Sequence, residues 1–266
     1  MNVKIIDTTL RDGEQQAGIA IKKHQKIDIA CLLAELGVDQ IEAGTPAMRG
    51  EELESIKAIA AIGLQSKISA WNRMNLEDIK ASVECGVDVI HISAPVSQIQ
   101  IVSKLLKEPS WVLEKLEEAI LFAKNQGFTV HVGMEDASRA ELDFMEKVCR
   151  VAYDAGAVMV RYADTVGIAS PLKIRSDIET LTSRVPVKLG IHAHNDLGLA
   201  LSNTLNAAAS GVSFVDTTIG GIGERAGNCN FLDFVKQSER YQFTTNITED
   251  VKKIKKYEKK ILQYVF

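Results

Sequence analysis

The chain has no cysteine motif. Its four cysteines, Cys31, Cys85, Cys149 and Cys229, stand far apart, with neither CxxC nor CxxH spacing. That excludes a cysteine-based zinc module or a redox dithiol, and it fits reduced thiols of which three fill core positions on helices. An apolar run long enough to span a bilayer is also missing, and the first residues, Met1-Asn2-Val3-Lys4, lead straight into a strand pattern without a leader-like segment. The chain therefore reads as cytoplasmic. Excess positive charge is absent: the net charge is −4, which argues against a nucleic-acid or membrane surface. A GxGxxG turn does not follow the first strand pattern; Arg11-Asp12-Gly13-Glu14-Gln15 stands there instead. An open dinucleotide-binding sheet usually carries that turn.

What is present is a repeat. A short β-rich run, a polar loop and an amphipathic helix recur along the chain. Strand patterns fall at 3–9, 40–44, 67–71, 87–93, 128–134, 158–163, 187–193 and 213–219, and Gly37, Gly63, Gly86, Gly127, Gly156 and Gly211 each stop a helix just before a strand. Strict alternation means a parallel sheet. Eight such units in a chain of 266 residues, 46% of them hydrophobic, predict one closed (β/α)8 barrel over residues 1–240.

A lysine-rich tail, residues 241–266, follows. Thr248-Glu249-Asp250 has the capping hydroxyl and acids of a helix start. Ile247, Val251, Ile254, Ile261, Leu262 and Val265 then line one side of a helix. Such a stripe either packs on the barrel or meets a partner.

Two stretches carry the chemistry. His192 and His194 follow the seventh strand pattern two apart. Residues i and i+2 of a strand share a face, so two imidazoles converge, as in a site for a divalent metal. Asp12, after the first strand, adds a hard oxygen beside the fixed charge of Arg11. Taken singly, these would equally be core histidines and a structural ion pair. Barrel enzymes, however, build their sites at the C-terminal strand ends, and polar residues gather there: Gln15, Glu42, Asn72, Arg73, Ser93, Ser97, Glu135, Asp136, Arg139, Asp164, Thr165, Asn195 and Asp196. Acids, a histidine pair and arginines at one mouth suggest a metal holding an anionic, oxygen-rich substrate.

Four motifs are specific enough to name a family. They are Thr8-Thr9-Leu10-Arg11-Asp12-Gly13-Glu14-Gln15, Ala163-Asp164-Thr165-Val166-Gly167, His192-Ala193-His194-Asn195-Asp196-Leu197-Gly198 and Gly223-Glu224-Arg225-Ala226-Gly227-Asn228. Over residues 3–235 the chain resembles the metal-dependent barrel family of 2-isopropylmalate, citramalate and homocitrate synthases, with hydroxymethylglutaryl-CoA lyases as more distant relatives. Finer stretches, including Gln16-Ala17-Gly18-Ile19-Ala20, Gly44-Thr45-Pro46-Ala47-Met48 and Glu135-Asp136-Ala137-Ser138-Arg139-Ala140, are similar to homocitrate synthases of the nitrogen-fixation type.

The resemblance implies a Claisen-type acyltransferase that condenses acetyl-CoA with a 2-oxo acid, here 2-oxoglutarate. It implies metal ligands at Asp12, His192 and His194, with Asn228 a weaker fourth. Zn²⁺, Mn²⁺, Fe²⁺ and Mg²⁺ all suit such a set. Arg11 and Glu135 take the catalytic roles, Arg11 against the ketone oxygen and Glu135 organising water or protons. Thr165 binds the carboxylate beside the ketone, while Gln15 and Arg139 shape the pocket. Arg73 and Arg139 are candidates for a second carboxylate, since a guanidinium grips one with two hydrogen bonds.

Family members are longer, and their C-terminal region supplies a His and a Tyr for proton transfer. This chain's five histidines, at 24, 91, 131, 192 and 194, all lie in the barrel, so a separate C-terminal subunit, a homo-oligomer or both are expected as partners. Isopropylmalate or citramalate synthesis, with 2-oxoisovalerate or pyruvate as acceptor, is the alternative. A non-catalytic subunit that only binds metal and 2-oxo acid is a second.

Overall fold

The computed structural model describes all residues from Met1 to Phe266. Eight strands form a closed, all-parallel barrel. They are β1 Lys4–Asp7, β2 Gln40–Glu42, β3 Lys67–Arg73, β4 Val89–Pro95, β5 Thr129–Glu135, β6 Met159–Asp164, β7 Lys188–Ala193 and β8 Phe214–Thr217. Each pairs with the next, and β1 pairs with β8 to close the ring, with Ile6 opposite Asp216.

The outer helices are α1 Lys23–Glu35, α2 Gly50–Ala60, α3 Leu76–Cys85, α4 Pro109–Asn125, α5 Leu142–Asp154, α6 Pro171–Arg184, α7 Ala200–Ala209 and α8 Phe231–Arg240, followed by α9 Val251–Val265. The stopping glycines behave as read: Gly86, in the left-handed region at φ 67°, ends α3 without the clash a Cβ would bring. No helix is long and apolar enough to cross a membrane.

Strands 1 and 8 are shorter than their sequence patterns. The Thr8 carbonyl leaves the ladder and accepts from the amides of Arg11, Asp12 and Gly13, so the chain turns before the expected strand end. That turn carries Arg11 and Asp12 inward over the mouth. Strand 4 departs the other way and runs on to Pro95, paired with Glu135.

The barrel interior is layered, as the two-residue period requires. At its N-terminal end Ile6, Met159 and Phe214 form a small apolar plug. Gly190 leaves room for it, because a Cβ there would lie 3.1 Å from Met159 Sδ. Above the plug the interior turns polar, with Glu42, His91, His131, Arg161 and Asp216 all buried. The apolar core proper lies between strands and helices.

The tail helix packs on the barrel. Ile254, Ile261 and Val265 are buried in the main core. Its N-cap is Asp250, whose carboxylate accepts from the Lys253 amide at 2.8 Å. Thr248, which the sequence suggests as the cap, lies two residues too early, while Glu249 pairs with Lys253.

Candidate active site

A cavity of about 950 Å³ opens at the C-terminal strand ends. The ends of β1 and β7 bring the metal-type donors together there. Asp12 Oδ2 lies 3.4 Å from His192 Nε2 and 3.7 Å from His194 Nε2, and the two Nε2 atoms are 3.2 Å apart. All three side chains are buried. They are the one group of three or more His, Cys, Asp or Glu side chains close enough to share an ion.

The surroundings prepare those donors. His192 Nδ1 meets Asp216 Oδ2 at 2.9 Å. A carboxylate on the far nitrogen fixes the ring so that Nε2 faces the cluster. Burial disfavours a charged His192, but Asp12 and Asp216 outweigh it and push its pKa up to about 9. Burial and the neighbouring His192 push His194 down to about 4. Asp12 is held well below the usual carboxylate range: burial opposes this, and the Arg11 guanidinium and both imidazoles prevail. Asn228 Nδ2 donates to Asp12 Oδ1 at 2.7 Å, and the amide's own oxygen is buried with no partner. An orphaned acceptor beside a buried carboxylate and two imidazoles fits a bound divalent cation.

Gly223 makes this packing possible. A Cβ at that position would fall 2.0 Å from Asn228 Nδ2 and 2.7 Å from Asp12 Oδ1. Gly223→Ala is therefore expected to displace Asn228 and Asp12 and to weaken metal binding by about 10- to 100-fold, the range for losing a supporting contact. Competition against a metallochromic chelator measures it; unchanged affinity would mean that Asn228 does not support the cluster.

Arg11 is clamped. Its Nε donates to Glu42 Oε1 at 2.7 Å, its Nη1 to Asp12 Oδ2 at 2.9 Å and, more loosely, to Gln15 Oε1 at 3.4 Å. Glu42 bridges to a second guanidinium, accepting from Arg161 Nη1 at 3.1 Å. The two arginines hold Glu42 ionised, below its usual pKa, against the opposing effect of burial.

The remaining predicted residues divide. Gln15, Arg73, Glu135 and Thr165 line the cavity with Arg11, Asp12, His192 and His194. Glu135 accepts from Gln100 Nε2 at 2.7 Å, and Thr165 Oγ1 accepts from the Asp136 amide at 2.9 Å, leaving the Thr165 hydroxyl hydrogen free. Arg139 stands apart from them. It makes a forked pair with Asp136, and it forms no part of the cavity wall. Asp136 itself is buried and also accepts from Ser97. Arg73 reaches the cavity edge, but a two-pronged pair with Asp78, at 2.7 and 2.9 Å, occupies it.

Sequence reading missed Asp216, His91 and Arg161. The one available signal was charge or imidazole inside otherwise apolar strands, as in Met159-Val160-Arg161-Tyr162, since such groups are rarely buried without a partner.

A closed (β/α)8 barrel with an Asp-His-His cluster and a clamped arginine at its mouth defines a barrel enzyme with a candidate metal centre. The HMGL-like family model matches residues 2–261, and the chain belongs to that family. It is 52% identical over 236 residues to "Homocitrate synthase subunit alpha" of Clostridium pasteurianum, covering 89% of this chain and 88% of that one. It is 42% identical over 253 residues to "2-isopropylmalate synthase 2" of Caldanaerobacter subterraneus and 43% over 238 residues to "Homocitrate synthase 1" of a Nostoc species. These matches cover 95% and 90% of this chain but only 66% and 63% of those two proteins. Among solved structures, an HMG-CoA lyase of Bacillus subtilis superposes with a TM-score of 0.87 at 22% identity, covering 98% of this chain and 93% of the lyase, which supports the fold.

Proposed function

We propose that this chain is the barrel component of a Claisen-type acyltransferase that condenses acetyl-CoA with 2-oxoglutarate to homocitrate. The observation that carries the reading is the clamped Arg11 set against the Asp12-His192-His194 cluster. Similarity to the clostridial homocitrate synthase subunit, over most of both chains, supports the acceptor.

A divalent metal held by Asp12, His192 and His194, with Asn228 Oδ1 beside it, would supply Lewis acidity toward the acceptor ketone. Arg11 has its Nη2 free of protein partners and is placed to stabilise the oxygen that gains charge as the ketone is attacked. The Thr165 hydroxyl donates to the adjoining carboxylate, and Glu135 and Gln15 order water and substrate at the rim. In the reaction the acetyl-CoA methyl group loses a proton, its carbon bonds to the ketone carbon, and the alkoxide takes up a proton. Water then cleaves the thioester and releases the thiol.

The proton acceptor for the methyl group is the part these residues do not supply. His91 and His131 are buried, and burial and the Arg161 charge keep both neutral, His131 pushed down to about 3 and His91 well below its usual value. Such imidazoles are weak bases near neutral pH. A second polypeptide, as the relative's subunit name suggests, is the proposed source of the base.

The test is thiol release from acetyl-CoA with 2-oxoglutarate, 2-oxoisovalerate or pyruvate, on the metal-loaded chain alone and with the polypeptide that co-purifies with it. 2-Oxoglutarate should lead, and full turnover should need both components. Preference for 2-oxoisovalerate would move the assignment to isopropylmalate synthesis, in line with the 42% relative. Full activity of the chain alone, at ~1 s⁻¹ or more, would place the base inside this barrel.

A further inference from the structure

The floor of the cavity holds a buried cation with a spare arm. Arg161, on β6, is 2% exposed and forms part of the cavity wall. Its Nη1 donates to Glu42, and its Nε lies 3.0 Å from Asp216 Oδ2 without hydrogen-bond alignment. Its Nη2 has no partner at all. A guanidinium has five donors, and leaving any of them buried and unmet is costly. An orphaned donor in a cavity wall points to an acceptor brought by a ligand.

His91, on β4, stands beside it. The ring is buried and lines the same cavity, and its Nδ1 also lacks a partner. It occupies space that Gly133 leaves open, since a Cβ there would fall 2.6 Å from His91 Nε2. Strand pairing sets Gly133 directly against Arg161 on one side and Ser93 on the other. The missing side chain therefore opens a notch in the wall, with the imidazole and the guanidinium at its edge. Held neutral, the imidazole keeps one N–H to donate without adding charge.

Arg161 is also in the right place. Asp216 Oδ2 contacts both Arg161 Nε and His192 Nδ1, at 3.0 and 2.9 Å. Glu42 contacts both Arg161 and Arg11. One carboxylate thus separates Arg161 from a candidate metal ligand, and another separates it from the arginine at the ketone. Arg73 and Arg139 each spend two hydrogen bonds on a carboxylate of their own. Arg161 shares its carboxylates with neighbours and keeps an arm.

We propose that Arg161, flanked by His91, is the specificity-determining site for the second carboxylate of the acceptor 2-oxo acid. The assignment rests on the condensing-enzyme reading above. A short diacid held at its keto end by the cluster and Arg11 would lay its distal carboxylate against Arg161 Nη2. A branched monoacid would press methyl groups on the same charge and leave it unpaired, which is how a polar pocket rejects an apolar analogue.

Calorimetry on the manganese-loaded chain tests this with two ligands, 2-oxoglutarate and 2-oxovalerate, which differ in replacing the distal carboxylate by a methyl group. The wild type should favour 2-oxoglutarate. R161Q should weaken 2-oxoglutarate by about 10- to 100-fold, the range for a lost hydrogen bond to a charged group. It should leave 2-oxovalerate within about threefold. R161K, which keeps the charge for Glu42 and Asp216 but loses the fork, should show a smaller loss confined to the diacid, and it serves where R161Q does not fold. If both ligands weaken equally in either variant, Arg161 only supports the floor and the proposal falls while the acceptor assignment stands. If the wild type binds 2-oxovalerate as tightly as 2-oxoglutarate, the acceptor assignment falls and takes the proposal with it.

Discussion

A chain carrying H192A and H194A together is expected to lose at least about a thousandfold in affinity for Mn²⁺ or Zn²⁺ while its barrel stays folded. The size follows from what is removed. Altering a group that merely supports a metal ligand typically costs about 10- to 100-fold, and here two of three donors disappear. Asp12 would remain, tied to Arg11 and Asn228, and one carboxylate with a cation beside it holds a divalent ion poorly. The fold should survive because neither imidazole belongs to the apolar core. Their contacts are with each other, with Asp12 and, for His192, with Asp216. Asp216 keeps its ionic contact with Arg161 in the double variant, so no buried charge is abandoned. Chelator competition measures the affinity, and far-ultraviolet circular dichroism with thermal melting checks the fold. Unchanged affinity in a folded double variant would move the centre elsewhere.

The residues that were legible in the sequence are those whose signal is local. Two histidines on one strand face and glycines before six of the eight strands need only a few neighbouring letters. Asp12 came with them because the fold brings the ends of β1 and β7 to one mouth. What the letters hid was competition for partners. Arg73 and Arg139 look free in sequence, yet Asp78, five residues on, and Asp136, three residues back, hold them. Such local pairs form cheaply, since little chain must be ordered to make them. The opposite error concerned Arg161. Its partners, Glu42 and Asp216, come from β2 and β8, so only barrel closure reveals that it is paired on two sides and open on a third. Asp216 was missed for the same reason: its role appears once β8 sets it behind His192. The shortened first strand shows a third limit. The β-rich run continues through Thr8 and Thr9, but bonds from the next turn to the Thr8 carbonyl end the ladder earlier.

Arg11→Gln should lower turnover by about a hundred- to a thousandfold, the cost of removing one donor from a developing oxyanion, and leave the 2-oxo acid KM within a few-fold. The asymmetry comes from when the charge exists. A ketone oxygen is nearly neutral in the bound substrate and gains full charge only as the new carbon–carbon bond forms, so a donor aimed at it acts mainly in the transition state. The geometry suits that task. Glu42 and Asp12 fix the guanidinium from two sides, so no reorganisation is needed when the charge appears, while Nη2 stays free of protein acceptors. Burial alone would weaken the charged form, but the carboxylates of Glu42 and Asp12 more than offset it and raise the pKa above its usual value, so Arg11 remains a cation across any working pH. The substitution is also structurally mild, because Glu42 keeps its bond to Arg161 when Arg11 is gone. Steady-state kinetics on the active enzyme, varying the 2-oxo acid at saturating acetyl-CoA, separates the cases. A raised KM with kcat intact would mark Arg11 as a ground-state binder of the carboxylate and would leave the developing oxygen charge to a cation held by Asp12, His192 and His194. Arg11→Lys sharpens the result: it restores a charge without the fork that Glu42 and Asp12 grip, so partial recovery of kcat at unchanged KM is expected if charge at that point is what the transition state requires.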